Sequence, residues 1–337
     1  MQITESSSRR PEKTGTEKRK AEQENSADTH PKGSEPGSEE QAPVGEHLYD
    51  EWSEFDNDYY RDYCLLREIR PRAKKSAELP ADLKPQVRRV KRLFEFIKPS
   101  RVEKEKYCDE GDAINHELLV DYITQKKIEP SPKVNFYEKI TINTRDIAVL
   151  VLLDVSGSTG NEVGEKRVLD LERNAALILG EGLKIVGDPF GVCGFSGQGR
   201  ENCEFFVYKD FAQAWDNETI GAILEARPKT STRMGVALRH AGSILSRREN
   251  RKKLLILITD GKAMDAEYDS STMYAQYDVR KAVQENRDAG INCFAISTDE
   301  ESQADMQLMF PGSRYCIVPK IERLPQALPA LYLRLTL

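Results

Sequence analysis

Histidine is scarce in this chain. There are four in 337 residues, His30, His47, His116 and His240, and none has the short paired spacing of a zinc ligand set. Six cysteines (Cys64, Cys108, Cys193, Cys203, Cys293 and Cys316) lie far apart with no C-x-x-C pair, so no zinc site is expected. Cys193, Cys293 and Cys316 fall inside apolar runs, as buried thiols of a reducing compartment do. No run approaches ~18 consecutive apolar residues, and the first residues carry no signal-peptide core. Membrane insertion is therefore not expected, and a cytoplasmic location is. Basic excess is missing too: 50 Lys and Arg face 56 Asp and Glu, a net charge of −6. Without a basic stripe, nucleic acid is not an expected partner. Nor does G-x-x-x-x-G-K-[ST] occur, so this sequence holds no phosphate cradle of its own for ATP.

What is present falls into three stretches. Residues 1–46 have almost no aliphatic or aromatic side chains and abound in Ser, Glu, Lys, Pro and Gly. They cannot bury enough apolar surface to offset ordering entropy, and a disordered tail is expected. Residues 47–144 begin with LYDEWSEFDNDYYRDYCLLREIRPR, too aromatic for a solvated linker and expected to dock on this chain or on a partner. An amphipathic helix follows within 79–100, its stripe Val87, Val90, Leu93, Phe94 and Ile97. A second helix is expected in 111–127, with Asp112 placed to cap it. From residue 145 to 337, apolar runs alternate with helical patterns. DIAVLVLLD (146–154), GVCGFSG (191–197), KLLILITD (253–260), INCFAIS (291–297) and RYCIVP (314–319) read as strands. Val168–Val186, Met234–Ser246, Asp278–Ala289 and residues 323–335 read as helices. The fold class expected is α/β, a doubly wound and mostly parallel sheet flanked by helices, after a disordered start and a small helical pre-domain.

Two of the buried runs end in acid. VLLD ends at Asp154 and LILITD at Asp260, so one edge of the sheet receives both carboxylates. VLLDVSGSTG adds Ser156 and Ser158, and KTSTRMGV adds Thr232 just before a helix. Taken singly, these residues are ordinary caps. Together they make an all-oxygen cage with too few carboxylates for tight calcium binding, the kind of donor set Mg²⁺ accepts. A phosphotransferase with a strand-end Asp nucleophile would need a second carboxylate two residues on, where Ser156 stands. Strand-end caps without any metal are the remaining alternative.

D-x-S-x-S after a buried strand, Thr before a later helix and T-D-G after another strand resemble the von Willebrand factor A (VWA) domain and its metal-ion-dependent adhesion site (MIDAS). The resemblance implies that Ser156, Ser158 and Thr232 hold Mg²⁺ or Mn²⁺ directly. Asp154 and Asp260 would act directly or through water, and a partner's acidic side chain would complete the shell. Further stretches, GDPFGVCGFSGQGRENCEFFVYKDF, LITDGKAMD, IERLPQALPALYLRL and YDEWSEFDNDYYRDYCLLRE, resemble the NorD and CbbO families. Arg233 reads as an exposed helix-start residue and His240 as a packed one. The family resemblance implies a non-enzymatic adaptor working with a MoxR-type AAA+ ATPase of the NorQ or CbbQ kind. Its client would be nitric oxide reductase for a NorD-like chain, Rubisco for a CbbO-like one.

Overall fold

A computed structural model describes residues 42–97, 102–129, 131–142, 146–163, 166–263, 265, 267–268, 273–312, 314–318, 320 and 323–336. The chain opens with a hairpin, β1 (Gly45–Ser53) and β2 (Asp58–Ile69), followed by α1 (Lys84–Ile97). Next come β3 (Val102–Cys108), β4 (Ala113–Ile114), α2 (His116–Lys126) and β5 (Tyr137–Ile142). β6 (Ile147–Asp154) is separated from α3 (Val168–Val186) by a two-strand ladder, β7 (Glu162–Val163) with β8 (Lys166–Arg167). Then β9 (Phe190–Gly197), β10 (Cys203–Lys209), α4 (Asn217–Leu224), α5 (Met234–Ser246) and β11 (Lys252–Thr259) follow. α6 (Tyr274–Asp288), β12 (Ile291–Ser297), α7 (Gln303–Met309), β13 (Tyr315–Ile317) and α8 (Leu324–Thr336) complete the order.

Eight strands form one sheet in the order β1-β2-β10-β9-β6-β11-β12-β13. β9, β6, β11, β12 and β13 run parallel, and β10 is antiparallel to β9. Every residue of β6 is buried, and the pleat divides them between two cores. Ile147, Val149, Val151 and Leu153 join residues of α1, α3 and α8. Ala148, Leu150 and Leu152 join residues of α5 and α6 on the opposite face. A strand covered on both sides has no polar face to show, which is why its sequence does not alternate. This is the doubly wound, mostly parallel α/β sheet expected from the sequence.

The aromatic and acidic stretch after residue 47 docks on this chain. β2 pairs parallel with β10, so the hairpin extends the main sheet across the 144/145 division. The pre-domain is accordingly not purely helical: besides α1 and α2 it supplies two strands of the main sheet and the separate sheet β3-β5-β4. Of the α1 stripe, Val87, Val90 and Phe94 are buried, whereas Leu93 stays exposed. Asp112 does not cap α2. Asn115 does, its Oδ1 accepting from Glu117 N and Leu118 N at 3.1 and 3.2 Å, while Asp112 accepts from Ile140 N. Of the expected unstructured start, residues 1–41 lie outside the described residues, and Gly45 and Glu46 already belong to β1. Cys64, Cys193, Cys203 and Cys293 are buried free thiols, and Cys108 and Cys316 are half-buried. Among the described residues no helix is long and apolar enough to cross a membrane.

Candidate metal centre

The carboxyl edge of the parallel strands gathers three loops. The first leaves β6 at Asp154, whose side chain is fully buried. Its Oδ1 accepts from Ser156 N at 3.0 Å, and its Oδ2 from Thr259 Oγ1 at 2.8 Å. Ser156 Oγ lies 3.1 Å from Ser158 Oγ. A 3-10 turn, Gly157–Gly160, carries the chain away from the site, tied by Thr159 Oγ1 to the Ser156 carbonyl.

The second loop presses against the first. Lys229 N donates to the Val155 carbonyl at 2.9 Å, and Gly157 N donates to the Thr230 carbonyl. A Cβ at position 157 would stand 2.8 Å from that carbonyl oxygen, so only glycine lets the two backbones meet. Ser231 is bridged to Gly197 at the end of β9, which fixes the buried Thr232 one residue later.

The third loop follows β11. Thr259, its last residue, reaches across to Asp154, and its Oγ1 also accepts from Gly261 N at 3.0 Å. Gly261 has φ +87°, a left-handed conformation that turns the chain sharply after Asp260. Asp260 is 3% exposed, and its Oδ1 accepts from Lys262 N at 3.1 Å.

Electrostatics at this edge are one-sided. Burial, and then the Asp260 charge, push the Asp154 carboxyl up to about 7. A third carboxylate joins them from α3. Glu172 is fully buried; among the described residues neither of its oxygens is within hydrogen-bond distance of a partner, although the Thr298 hydroxyl lies near enough to favour its ionised form slightly. Burial, followed by the Asp154 and Asp260 charges, lifts it well above the usual carboxylate range. Among the described residues no lysine or arginine forms an ion pair with Asp154, Glu172 or Asp260. The sequence reading missed Glu172, although a signal was there. Position 172 falls four residues after Val168 and three before Ala175, on the buried stripe of α3, where an acid needs a reason.

Arg233 corrects another expectation. It is not exposed: at 3% exposure it sits among Glu51 (2.6 Å), Glu267 (2.7 Å) and Asp265 (3.4 Å) and stacks on the Tyr268 ring. It joins the hairpin, the loop after β11 and the start of α5, immediately beside Thr232. Neither a spacing nor a motif marks this cluster, because its members come from three distant segments.

A model of the von Willebrand factor type A domain matches residues 148–328. Protein NorD of Brucella suis biovar 1 (strain 1330) is 34% identical over 294 residues, covering 86% of this chain and 46% of that protein. Protein NorD of Stutzerimonas stutzeri is 32% identical over 278 residues, covering 82% and 45%. The chain thus spans about half the length of the curated relatives it matches. Among solved structures, the PilB minor pilin of Streptococcus sanguinis has a TM-score of 0.45 at 15% identity, covering 62% of this chain and 66% of that one.

Proposed function

The chain belongs to the von Willebrand factor type A domain family, and from that premise we propose that it is a non-enzymatic, metal-dependent adaptor. In this reading it couples a MoxR-type AAA+ ATPase to a client enzyme in the cytoplasm, and the client is nitric oxide reductase, as the NorD relatives favour. The observation that carries the metal half is the uncompensated charge at the sheet edge. Three buried carboxyl groups lie at this edge, among the described residues no lysine or arginine is ion-paired with them, and the Ser156, Ser158 and Thr232 hydroxyls on the adjoining loops add only oxygen donors. Such a set fits Mg²⁺ or Mn²⁺.

Ser156, Ser158 and Thr232 would hold the ion, with Asp154 and Asp260 behind or beside them. Thr259 and the Ser156 amide fix the Asp154 carboxylate in place. A bound divalent ion supplies a positive charge that accepts a carboxylate oxygen from a partner. The chain's part is to bind and orient; remodelling energy comes from the ATPase, because this sequence has no phosphate loop.

The test has two arms. Titration calorimetry should give one Mg²⁺ or Mn²⁺ per chain in the wild type and none in Asp154→Ala. Co-purification with a MoxR-type ATPase and nitric oxide reductase should fail in that variant and in excess chelator. A client complex that survives chelation overturns the metal dependence, and capture of Rubisco instead of the reductase assigns the chain to the CbbO-like alternative.

A further inference from the structure

A second cluster of metal-ligating groups lies away from the carboxyl edge, where the β1–β2 hairpin meets α5. We propose that His47, Glu68 and His240 form a binding site for a nitrogen-preferring divalent ion, Zn²⁺ first among them, which clamps the hairpin to α5. His47 on β1 is opposite Leu66 on β2, so Glu68, two residues further, shares its face of the sheet. His240, in the middle of α5, meets that face and is 1% exposed. One ligand atom from each of the three residues lies within 4.8 Å of the others.

His240 shows what the site lacks. Its Nδ1 is 2.8 Å from the Tyr49 hydroxyl, whereas its Nε2 is buried without a hydrogen-bond partner. Nε2 points at Glu68 Oε2 from 3.6 Å, too far for a hydrogen bond. Ligand atoms at ~2.0–2.1 Å around a tetrahedral ion stand roughly 3.3–3.5 Å apart, so this gap suits an ion between the two groups better than direct contact. Tyr49 on Nδ1 is the outer partner that a metal-bound imidazole needs to fix its orientation. Glu68 Oε1 is taken by Arg70 at 3.2 Å, leaving Oε2 as a single ligand oxygen.

Protonation states match as well. Burial holds the His240 imidazole below its ordinary range, hence neutral near pH 7. Glu68 is ionised, its Oε1 ion-paired with Arg70 at 3.2 Å. Both are the forms that bind metal. The widest ligand separation, up to 4.8 Å, must shorten by about 1.4 Å to reach tetrahedral spacing, and His47, only half-buried, is less enclosed than His240. Histidine spacing along the sequence excluded zinc only because the two imidazoles lie nearly 200 positions apart; folding removes that objection. Three protein ligands leave a fourth position for water.

The experiment uses the full chain stripped of metal and held in excess Mg²⁺, which occupies the oxygen-lined centre and has little affinity for imidazole. Titration with Zn²⁺ should show one further site, and Co²⁺ in its place should give the visible absorption of a nitrogen-ligated tetrahedral ion. H47A and E68Q should each weaken Zn²⁺ binding at least tenfold, whereas Asp154→Ala should leave it unchanged. The Co²⁺ spectrum needs no substitution, so a variant that fails to fold does not obscure the outcome. Absence of the Co²⁺ bands overturns the proposal, and so does a Zn²⁺ affinity that is equal in folded H47A and wild type.

Discussion

Two buried acidic clusters lie side by side in this molecule and are treated oppositely. Around Arg233, every carboxylate is matched. Glu51 binds the guanidinium and the Tyr274 hydroxyl, Asp265 also accepts from Gly199 N and Glu267 N, and Glu267 closes the group. At the carboxyl edge, Asp154, Glu172 and Asp260 are as deeply buried, and among the described residues no lysine or arginine is ion-paired with them. Taking a carboxylate from water is costly in both places. Where the chain supplies its own cation, the cluster holds segments together. Where it supplies none, the cluster is left with the charge that the proposed divalent ion would balance.

Arg233→Ala gives the largest effect expected of that difference. It strands Glu51 and Asp265 in a dry site, with half-exposed Glu267 beside them, and breaking a buried ion pair by removing one partner costs about 3–5 kcal/mol. Urea unfolding should show a loss of this size, with the hairpin the first part to exchange its amide hydrogens. A loss below about 1 kcal/mol would mean that water already reaches Glu51 and Asp265, and the contrast between the clusters would vanish.

Glu172→Gln should act in the opposite sense on the metal-free protein. Folding must protonate this buried acid, which is ionised in the unfolded chain at neutral pH; a neutral isostere removes that cost, and a gain on the order of 1 kcal/mol is expected at pH 7. The same logic sets a pH dependence. A carboxyl lifted to about 7, as Asp154 is, binds its proton more tightly in the folded chain than in the unfolded one. Stability from this group is therefore complete only below the unfolded-state value of 3.8 and is lost as pH rises from there to about 7. Mg²⁺ favours the ionised form, so its stabilising effect should grow over the same range. Thermal melts at pH 5, 6 and 7, with and without Mg²⁺, check both slopes. Parallel curves would show that the ion does not sit beside Asp154.

These two clusters also separate what the sequence discloses from what it hides. The strands were legible because burial on both faces leaves unbroken apolar runs, as in β6 and β11. Asp154, Ser156 and Ser158 were legible because one short loop carries them. Asp260 needs only the rule that successive loops of a parallel sheet open at the same edge, whereas Thr232 lies between α4 and α5 and reaches that edge through the Gly197–Ser231 bridge. Arg233 was misplaced because its acids arrive from Glu51, 182 positions earlier, and from the loop after β11. The hairpin went unassigned because aromatic and acidic residues alternate there without a clean period. It became a strand pair only when β10 offered an open edge. Asp112 and Asn115 both suit a helix cap, and the pairing of β4 with β5 decides between them by placing Asp112 against Ile140 N.

The smallest effect distinguishes the edge of the metal centre from its interior. Lys262 follows Asp260 by two residues, yet its side chain is 40% exposed and its ammonium pairs with Asp299 at 3.1 Å. A half-solvated pair of this kind contributes about 0–1 kcal/mol. Lys262→Ala should therefore change unfolding free energy by less than that. Removing its positive charge should also tighten Mg²⁺ slightly, by about threefold or less at low ionic strength, and 0.5 M salt should erase the gain because it screens exposed charges. If Lys262→Ala instead raised metal affinity a hundredfold, the ammonium would be neutralising Asp260 from within the centre. The carboxyl edge would then carry its own cation, as the Arg233 cluster does.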